Sequence, residues 1–351
     1  MDKINSYFKP SVLELRPYSS ARDEYDGTEG IFLDANENAF DFEYKRYPDP
    51  YQKNVKEHLG KWRQIDPKSI FLGNGSDEII DLLIRSTSRQ GEDRILTLDP
   101  SYGMYRVSAA INEIPLDLVQ MNSDLTVNQD DVFNKMNDRH KLIFICSPNN
   151  PNGGIIDSNL IEKILQKSGG LVIVDEAYID FSDTSSWITR LKEYKNLVVM
   201  QTFSKSLGAA GIRLGMAFMN PGLVAILNKI KPPYNISIPN QLAALDRMNK
   251  MEAVQEAIEE IKAQREFLRQ ALGKMEMVKE IFPSQANFLL VRFQKSELVF
   301  EQLKKRKIIV RDRSREKFCE GCLRITIGNS EQNQMLLKAL EKINQNELIT
   351  V

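Results

Sequence analysis

Between residues 142 and 200 three short, uninterrupted apolar runs are separated by segments long enough for helices. The runs are Leu142-Ile143-Phe144-Ile145-Cys146, Leu171-Val172-Ile173-Val174 and Leu197-Val198-Val199-Met200. Runs of this length, rich in β-branched residues and without polar alternation, belong to strands buried on both faces, as happens when helices cover both sides of a parallel sheet. The segments between them agree. SPNNPNGG makes a turn after the first run, a helix opens near Asp157 in DSNLIEKILQKS, and a second crossover helix is expected over roughly 185 to 195. The pattern predicts α/β architecture around a mostly parallel sheet.

The flanks predict a second, smaller unit. An arm of about forty residues, rich in turn formers and aromatics, precedes the α/β pattern. After Lys231-Pro232-Pro233-Tyr234, apolar residues at helical spacing, among them Ile258, Ile261 and Leu268, predict a long helical stretch from about 240 to 279. Residues 286–291 and 323–327 read as strands around a helix near 296–306. The 351 residues thus divide into an arm over 1–45 that partly joins the small domain, a large domain over 46–260 and a small α+β domain over 261–351.

Charge and cysteine content remove several functions. With 47 basic against 48 acidic side chains the formal net charge is −1, so nothing draws the chain toward nucleic acid or anionic membranes in general. The densest basic run, Lys304-Lys305-Arg306-Lys307, ends an expected helix and reads as a solvated face. No apolar stretch approaches the roughly 20 residues of a membrane span. The start, MDKINSYFKP, lacks the apolar core of a signal peptide, and a cytoplasmic location is expected. Cys319-Glu320-Gly321-Cys322 has the spacing of a redox pair or half a zinc site. With only His58 and His140 available, neither near a second cysteine, the zinc ligand set is incomplete, so no metal is expected and the pair reads as two incidental thiols.

In open parallel sheets, ligands sit outside the carboxyl ends of the strands. The three runs end in Ser147-Pro148-Asn149-Asn150, Asp175-Glu176-Ala177-Tyr178 and Thr202-Phe203-Ser204-Lys205. One cleft is therefore expected to collect an amide, a carboxylate, a phenol and an amine. A carboxylate and a lysine are each costly to bury alone, so their clustering points to a site, with a structural ion pair as the alternative. Upstream, Gly73-Asn74-Gly75-Ser76-Asp77-Glu78 opens an amphipathic helix. Free N–H groups at such a start hold anions, phosphate above all, although a plain turn and cap fits equally well. The loop is not GxxxxGK[ST], which disfavours a nucleotide triphosphatase. Lys205 is followed eight residues on by Arg213 in SKSLGAAGIRLG. Arginine suits bidentate phosphate contact, and a desolvated lysine has the lowered pKa that imine chemistry needs. Aldehyde, phosphate and a ring nitrogen seeking a partner together describe pyridoxal phosphate.

The motifs SPNNPNG, VDEAY, TFSKSLGAAGIRLG and GCLRITIG resemble those of fold-type I pyridoxal-phosphate aminotransferases. With LDANEN, RYPDP, PSYGMY and IIVRDR, the resemblance narrows to the histidinol-phosphate aminotransferase family and runs from about Tyr18 to Asn329. It implies a large α/β/α cofactor domain, a smaller α+β domain and a homodimer. Lys205 would hold the cofactor as an internal aldimine and shuttle the proton, Asp175 would pair with the pyridine nitrogen, and Asn150 and Tyr178 would hydrogen-bond its phenolic oxygen. Tyr102 would stack on the ring. Gly75, Ser76, Asp77, Ser204 and Arg213 would hold the phosphate, joined by Tyr47 from the neighbouring subunit. On the substrate side the resemblance implies Arg324 and Arg311 for the carboxylate and the substrate phosphate, Tyr18 for the phosphate, and Asn36 in a segment that closes over the site.

The implied reaction is a ping-pong exchange between L-histidinol phosphate with 2-oxoglutarate and imidazole-acetol phosphate with L-glutamate. Two positions depart from the family pattern, Ala39 where proline is usual and Asn152 where threonine is usual. The nearest rivals are an aromatic amino-acid aminotransferase and a phospho-amino-acid decarboxylase of the same superfamily. A DNA-binding regulator would need a helix-turn-helix domain that the arm is too short to hold. A thiol redox protein would depend on Cys319 and Cys322.

Overall fold

The computed structural model describes residues 3–17 and 30–348; Tyr18 lies outside the described residues. Two helices, α1 (Pro10–Leu13) and α2 (Lys53–Arg63), precede strand β1 (Ile70–Asn74). The chain continues through α3 (Gly75–Thr87), β2 (Arg94–Asp99), α4 (Met104–Ile111), β3 (Leu116–Gln120), α5 (Gln129–Lys135) and β4 (His140–Cys146). Then come α6 (Ser158–Lys167), β5 (Leu171–Asp175), β6 (Leu197–Thr202) and β7 (Leu214–Met219). Helix α6 starts where the sequence places it, because the Asp157 carboxylate accepts the Asn159 N–H and satisfies one of the first-turn donors.

These seven strands form one sheet in the order β1-β7-β6-β5-β4-β2-β3. Four neighbouring pairs are parallel; only β7 runs against both of its neighbours, β6 and β1. Six strands therefore point the same way, and their carboxyl ends share one edge with the amino end of β7. Side chains alternate between two apolar layers, as continuous runs require. In β4, Leu142, Phe144 and Cys146 enter one layer, while Ile143 and Ile145 enter the other. Full burial of each such aliphatic side chain contributes about 1.5–3 kcal/mol, so this double-sided packing is what holds the strands in register.

Two expectations fail. Residues 185–195 form no helix; a short 3-10 turn, Trp187–Arg190, stands there instead. The buried Glu176 carboxylate accepts the Ser186 hydroxyl at 2.5 Å and the Trp187 N–H at 2.7 Å. Those bonds tie the segment to the end of β5, and Trp187 and Ile188 are buried beside it. Likewise the stretch from 240 to 279 is broken. After α7 (Pro221–Ile230) it forms α8 (Ile238–Met248) and α9 (Met251–Leu272), separated where Lys250 leaves helical geometry, and ends in a strand, β8 (Val278–Ile281). Apolar spacing on either side of Lys250 is compatible with one helix, so periodicity alone does not reveal the break.

The chain closes with β9 (Phe288–Phe293), α10 (Ser296–Lys305), β10 (Arg311–Asp312), β11 (Cys322–Thr326) and α11 (Ser330–Leu348). A second sheet, in the order β10-β11-β9-β8, is antiparallel throughout and packs its own apolar cluster with α9, α10 and α11. Arg265 of α9 reaches across, donating to the Phe181 and Ala286 carbonyls.

Candidate active site

At the shared carboxyl edge a cavity of ≈160 Å³ is lined by Gly75, Ser76, Asp77, Tyr102, Asn150, Asp175, Tyr178, Ser204, Lys205 and Arg213, with Cys146 and Thr202 among the others. Every residue expected from the sequence to hold the cofactor is present except Tyr47. A larger cleft of ≈560 Å³ opens between α2 and α7, with Lys53, Lys56 and Lys68 at its sides. Size does not select the site here; convergence of acid, amine, phenol and amide does.

Asp175 ends β5 and is almost wholly buried. Burial pushes its pKa up to about 6, against the pull of two donors. The Tyr105 hydroxyl donates to Oδ2 at 2.6 Å and the Ala177 N–H to Oδ1 at 3.1 Å. Tyr105 itself is fully enclosed, stacked on Phe144 at 4.7 Å and edge-on to Tyr102 at 5.5 Å. Lys205 remains accessible from the cavity. Partial desolvation of its amine lowers its pKa, and the charge of Arg324 acts in the same direction. The amine lies 5.6 Å from the ring centre of Tyr178, whose hydroxyl is pushed up by burial.

The opposite end of the cavity is built from backbone. The Asn74 side chain makes no capping bond at the start of α3, although the Glu78 carboxylate accepts the Asn74 N–H at 2.5 Å; Gly75 has φ +73° and donates its N–H to the Arg213 carbonyl at 2.9 Å. A Cβ on Gly75 would lie 2.7 Å from the Arg213 guanidinium, and one on Gly215 would lie 2.3 Å from the Gly75 carbonyl carbon. Both positions therefore require glycine, and both bring the start of α3 against the amino end of β7. Arg213 itself adopts φ +50°, which turns it toward Asp77 at 3.8 Å. Tyr102 donates to the other Asp77 oxygen at 3.0 Å. The free first-turn N–H groups, Ser76, Ser204 and Arg213 make an anion cradle.

Arg324 donates to Asn150 Oδ1 and stands 5.2 Å from the ring centre of Phe288, so the small sheet reaches the cavity through this side chain. Arg311 is its cross-strand partner and is exposed. Asn36 and Tyr47 lie elsewhere, along a separate cleft of ≈420 Å³, where Tyr47 stacks on Tyr234 at 4.4 Å.

Residues 31–340 match the family model for aminotransferase class I and II. The chain belongs to this family. A histidinol-phosphate aminotransferase of Christiangramia forsetii is 46% identical over 342 residues, covering 97% of this chain and 98% of the relative. The crystal structure of the histidinol-phosphate aminotransferase from Clostridium acetobutylicum superposes with a TM-score of 0.80 at 26% identity, over 86% of this chain and 92% of that one. The Sinorhizobium meliloti enzyme, solved in complex with pyridoxal-5'-phosphate, shares the fold at a TM-score of 0.79 and 21% identity, over 86% and 84% of the two chains.

For a class I and II aminotransferase, several residues at this edge escape a reading by motif. Tyr105 lies inside PSYGMY, three residues after Tyr102, and only the fold shows that it meets Asp175. Asn152, the departure from the usual threonine, is buried; it accepts from the Asn149 amide at 2.9 Å and donates to the Leu125 carbonyl at 3.3 Å. It thus holds the turn that carries Asn150. Ala39 lies in an exposed part of the arm, and nothing in the structure explains its replacement of proline. Cys319 and Cys322 are buried free thiols on the hairpin that leads to Arg324.

Proposed function

We infer that the protein is a pyridoxal-phosphate-dependent histidinol-phosphate aminotransferase. It interconverts L-histidinol phosphate and 2-oxoglutarate with imidazole-acetol phosphate and L-glutamate, a step of histidine biosynthesis. The observation that carries this reading is the convergence of the Lys205 amine, the buried Asp175 carboxylate and a glycine-opened helix start on one cavity. The residues present suit the cofactor, since a buried carboxylate calls for a cationic partner and the α3 cradle calls for an anion.

When bound, pyridoxal phosphate supplies an aldehyde for the substrate amine and a protonated ring that withdraws electrons from the reacting carbon. Ser76, Asp77, Ser204 and Arg213 would hold its phosphate, with Gly75 leaving room for it. Asp175 would pair with the ring nitrogen, whose positive charge would offset the burial that raises the pKa of the carboxyl group. Asn150 and Tyr178 would hydrogen-bond the ring oxygen, and Tyr102 would stack on the ring. Lys205, whose pKa is lowered by partial desolvation and by the charge of Arg324, would carry the cofactor and would serve as the base for the proton on the substrate Cα. Arg324 and Arg311 offer planar forks to the phosphate of one substrate and the carboxylate of the other. Tyr18 and Asn36 complete the substrate side.

The reading includes a cytoplasmic homodimer in which Tyr47 serves the neighbouring site. Its support is the exposure of Ile31, Leu33, Phe40, Phe42 and Tyr44 along the arm and of Tyr47 just after it, a run of exposed apolar side chains of the kind that marks an interface. The reading divides the chain into 1–45, 46–260 and 261–351; the two separate sheets support a large and a small domain, with the boundary at 260 falling inside α9. Three buried free thiols accord with a reducing compartment.

Borohydride reduction of the yellow holoenzyme, followed by peptide mapping, is expected to fix the cofactor on Lys205. A colourless protein after cofactor loading, or a label elsewhere, overturns the chemistry. Rates with histidinol phosphate, phenylalanine and threonine phosphate, each with 2-oxoglutarate, decide the substrate. Turnover is expected to be fastest with the first; no turnover of it rejects the assignment.

A further inference from the structure

The β10–β11 hairpin sets three arginines on one face. Arg311 and Arg324 are direct cross-strand partners. Arg313 continues the same register, its N–H donating to the Cys322 carbonyl at 3.0 Å, and side chains two residues apart on an extended chain point the same way. Arg324 already reaches Asn150 in the cavity. Arg313 lies near enough to Arg324 and Tyr178 for its charge to act on both.

Arg313 is not an ordinary surface arginine. Its side chain is only 13% exposed and pairs with Glu316 at 2.5 Å. The pair is incomplete on both sides, since Arg313 Nε and Glu316 Oε2 are buried with no hydrogen-bond partner among the described residues. Buried donors and acceptors left unmade are rare and call for an explanation, a bound ligand among them. Burial also raises the pKa of Glu316, which makes it a weaker holder of the guanidinium than an exposed carboxylate.

We propose that Arg313 is a specificity-determining residue of the substrate site, a third guanidinium held in check by Glu316 that turns to the dianionic phosphate of the phosphorylated substrate. This rests on the reading that one site receives a phosphate in one half-reaction and a carboxylate in the other. The charges suit it. Three arginines less one glutamate leave two positive charges, matched by a phosphate carrying about two negative charges above its second pKa. A singly charged carboxylate needs only the fork of Arg324. Glu316 then works as a competitor that a phosphate displaces and a carboxylate does not.

The experiment compares both half-reactions of the holoenzyme in single turnover. Arg313→Gln is expected to lower kcat/KM for histidinol phosphate by about 10- to 100-fold and for glutamate by less than about threefold. Glu316→Gln, which frees the guanidinium, is expected to lower KM for histidinol phosphate severalfold and leave glutamate unchanged. Inorganic phosphate binding to the holoenzyme, followed by calorimetry, should weaken about tenfold in Arg313→Gln and tighten in Glu316→Gln. A purely structural ion pair would make both variants worse with both substrates and lower Tm in each, and that result overturns the proposal. If the wild type fails to turn over histidinol phosphate, the functional reading falls first, and the phosphate titration still decides whether Arg313 binds the anion.

Discussion

Asp175 has its chemistry set by its surroundings more than by its type. Its folded pKa of about 6 stands above the roughly 3.9 of an unfolded aspartate. A carboxylate shifted upward leaves stability intact below the unfolded value and costs stability as pH rises through the folded one, here about 3 kcal/mol between pH 4 and 6. In cofactor-free protein, urea unfolding is expected to show that loss, and Asp175→Asn to remove most of it. Glu176, buried next to it and raised to about 7, adds a similar decline reaching higher pH, which Glu176→Gln separates. Tyr105 stabilises the ionised form through its 2.6 Å bond. Tyr105→Phe should therefore raise the Asp175 pKa further, steepen the pH dependence of the cofactor-free protein and weaken cofactor binding about tenfold. An unchanged pH profile would show that the hydroxyl does not act on Asp175. Motif reading reaches Asp175 and Lys205 because their neighbours in sequence are distinctive. It passes over Tyr105 because its partner Asp175 is brought to it by the fold, and over Arg313 because only the fold sets it beside Arg324 and Tyr178.

Among elements, the junction of β1, α3 and β7 controls the cradle. Gly215 sits where a Cβ would press on backbone atoms of Gly75 and Ser76, at 2.3 and 2.5 Å, and backbone cannot give way cheaply. Gly215→Ala is expected to destabilise the protein by about 2–3 kcal/mol and to weaken cofactor binding at least tenfold, read by thermal unfolding and cofactor titration. Gly211 is the control, since a Cβ there meets nothing within 4 Å among the described residues; Gly211→Ala should leave both measurements nearly unchanged. Element type was legible wherever burial on both faces forces a continuous apolar run, as in β4, β5 and β6. The helix expected over 185–195 was not realised because Glu176, remote from that segment by pattern, spends its hydrogen bonds on Ser186 and Trp187. Nor does local spacing reveal that β7 runs antiparallel, although that reversal is what delivers Arg213 to the ligand edge.

For the whole molecule, the proposed exchange of Tyr47 makes a prediction that no single subunit can satisfy. Tyr47→Ala and Lys205→Ala subunits, each inactive or nearly so alone, should regain about a quarter of wild-type activity when co-expressed, since half the dimers are hybrids with one intact site. No recovery would place Tyr47 in its own subunit's site. Assembly also joins parts far apart in the chain. Gly153, at φ +79°, packs so closely on Ser284 that a Cβ would lie 2.0 Å from its hydroxyl, and the Gln285 N–H donates to the Gly153 carbonyl at 2.8 Å. The turn bearing Asn150 is thereby locked to the segment that leads into β9, beside the strand that carries Arg324. The sequence by itself determined the α/β class, the edge where chemistry collects and the identity of the acid, amine and cradle, because these depend on apolar period and on short motifs whose members are neighbours in the chain. Tertiary structure alone decided which distant groups meet, among them Tyr105 with Asp175, Gly215 with Gly75 and Arg324 with Asn150, because burial and charge act through space and the chain pattern holds no record of spatial distance.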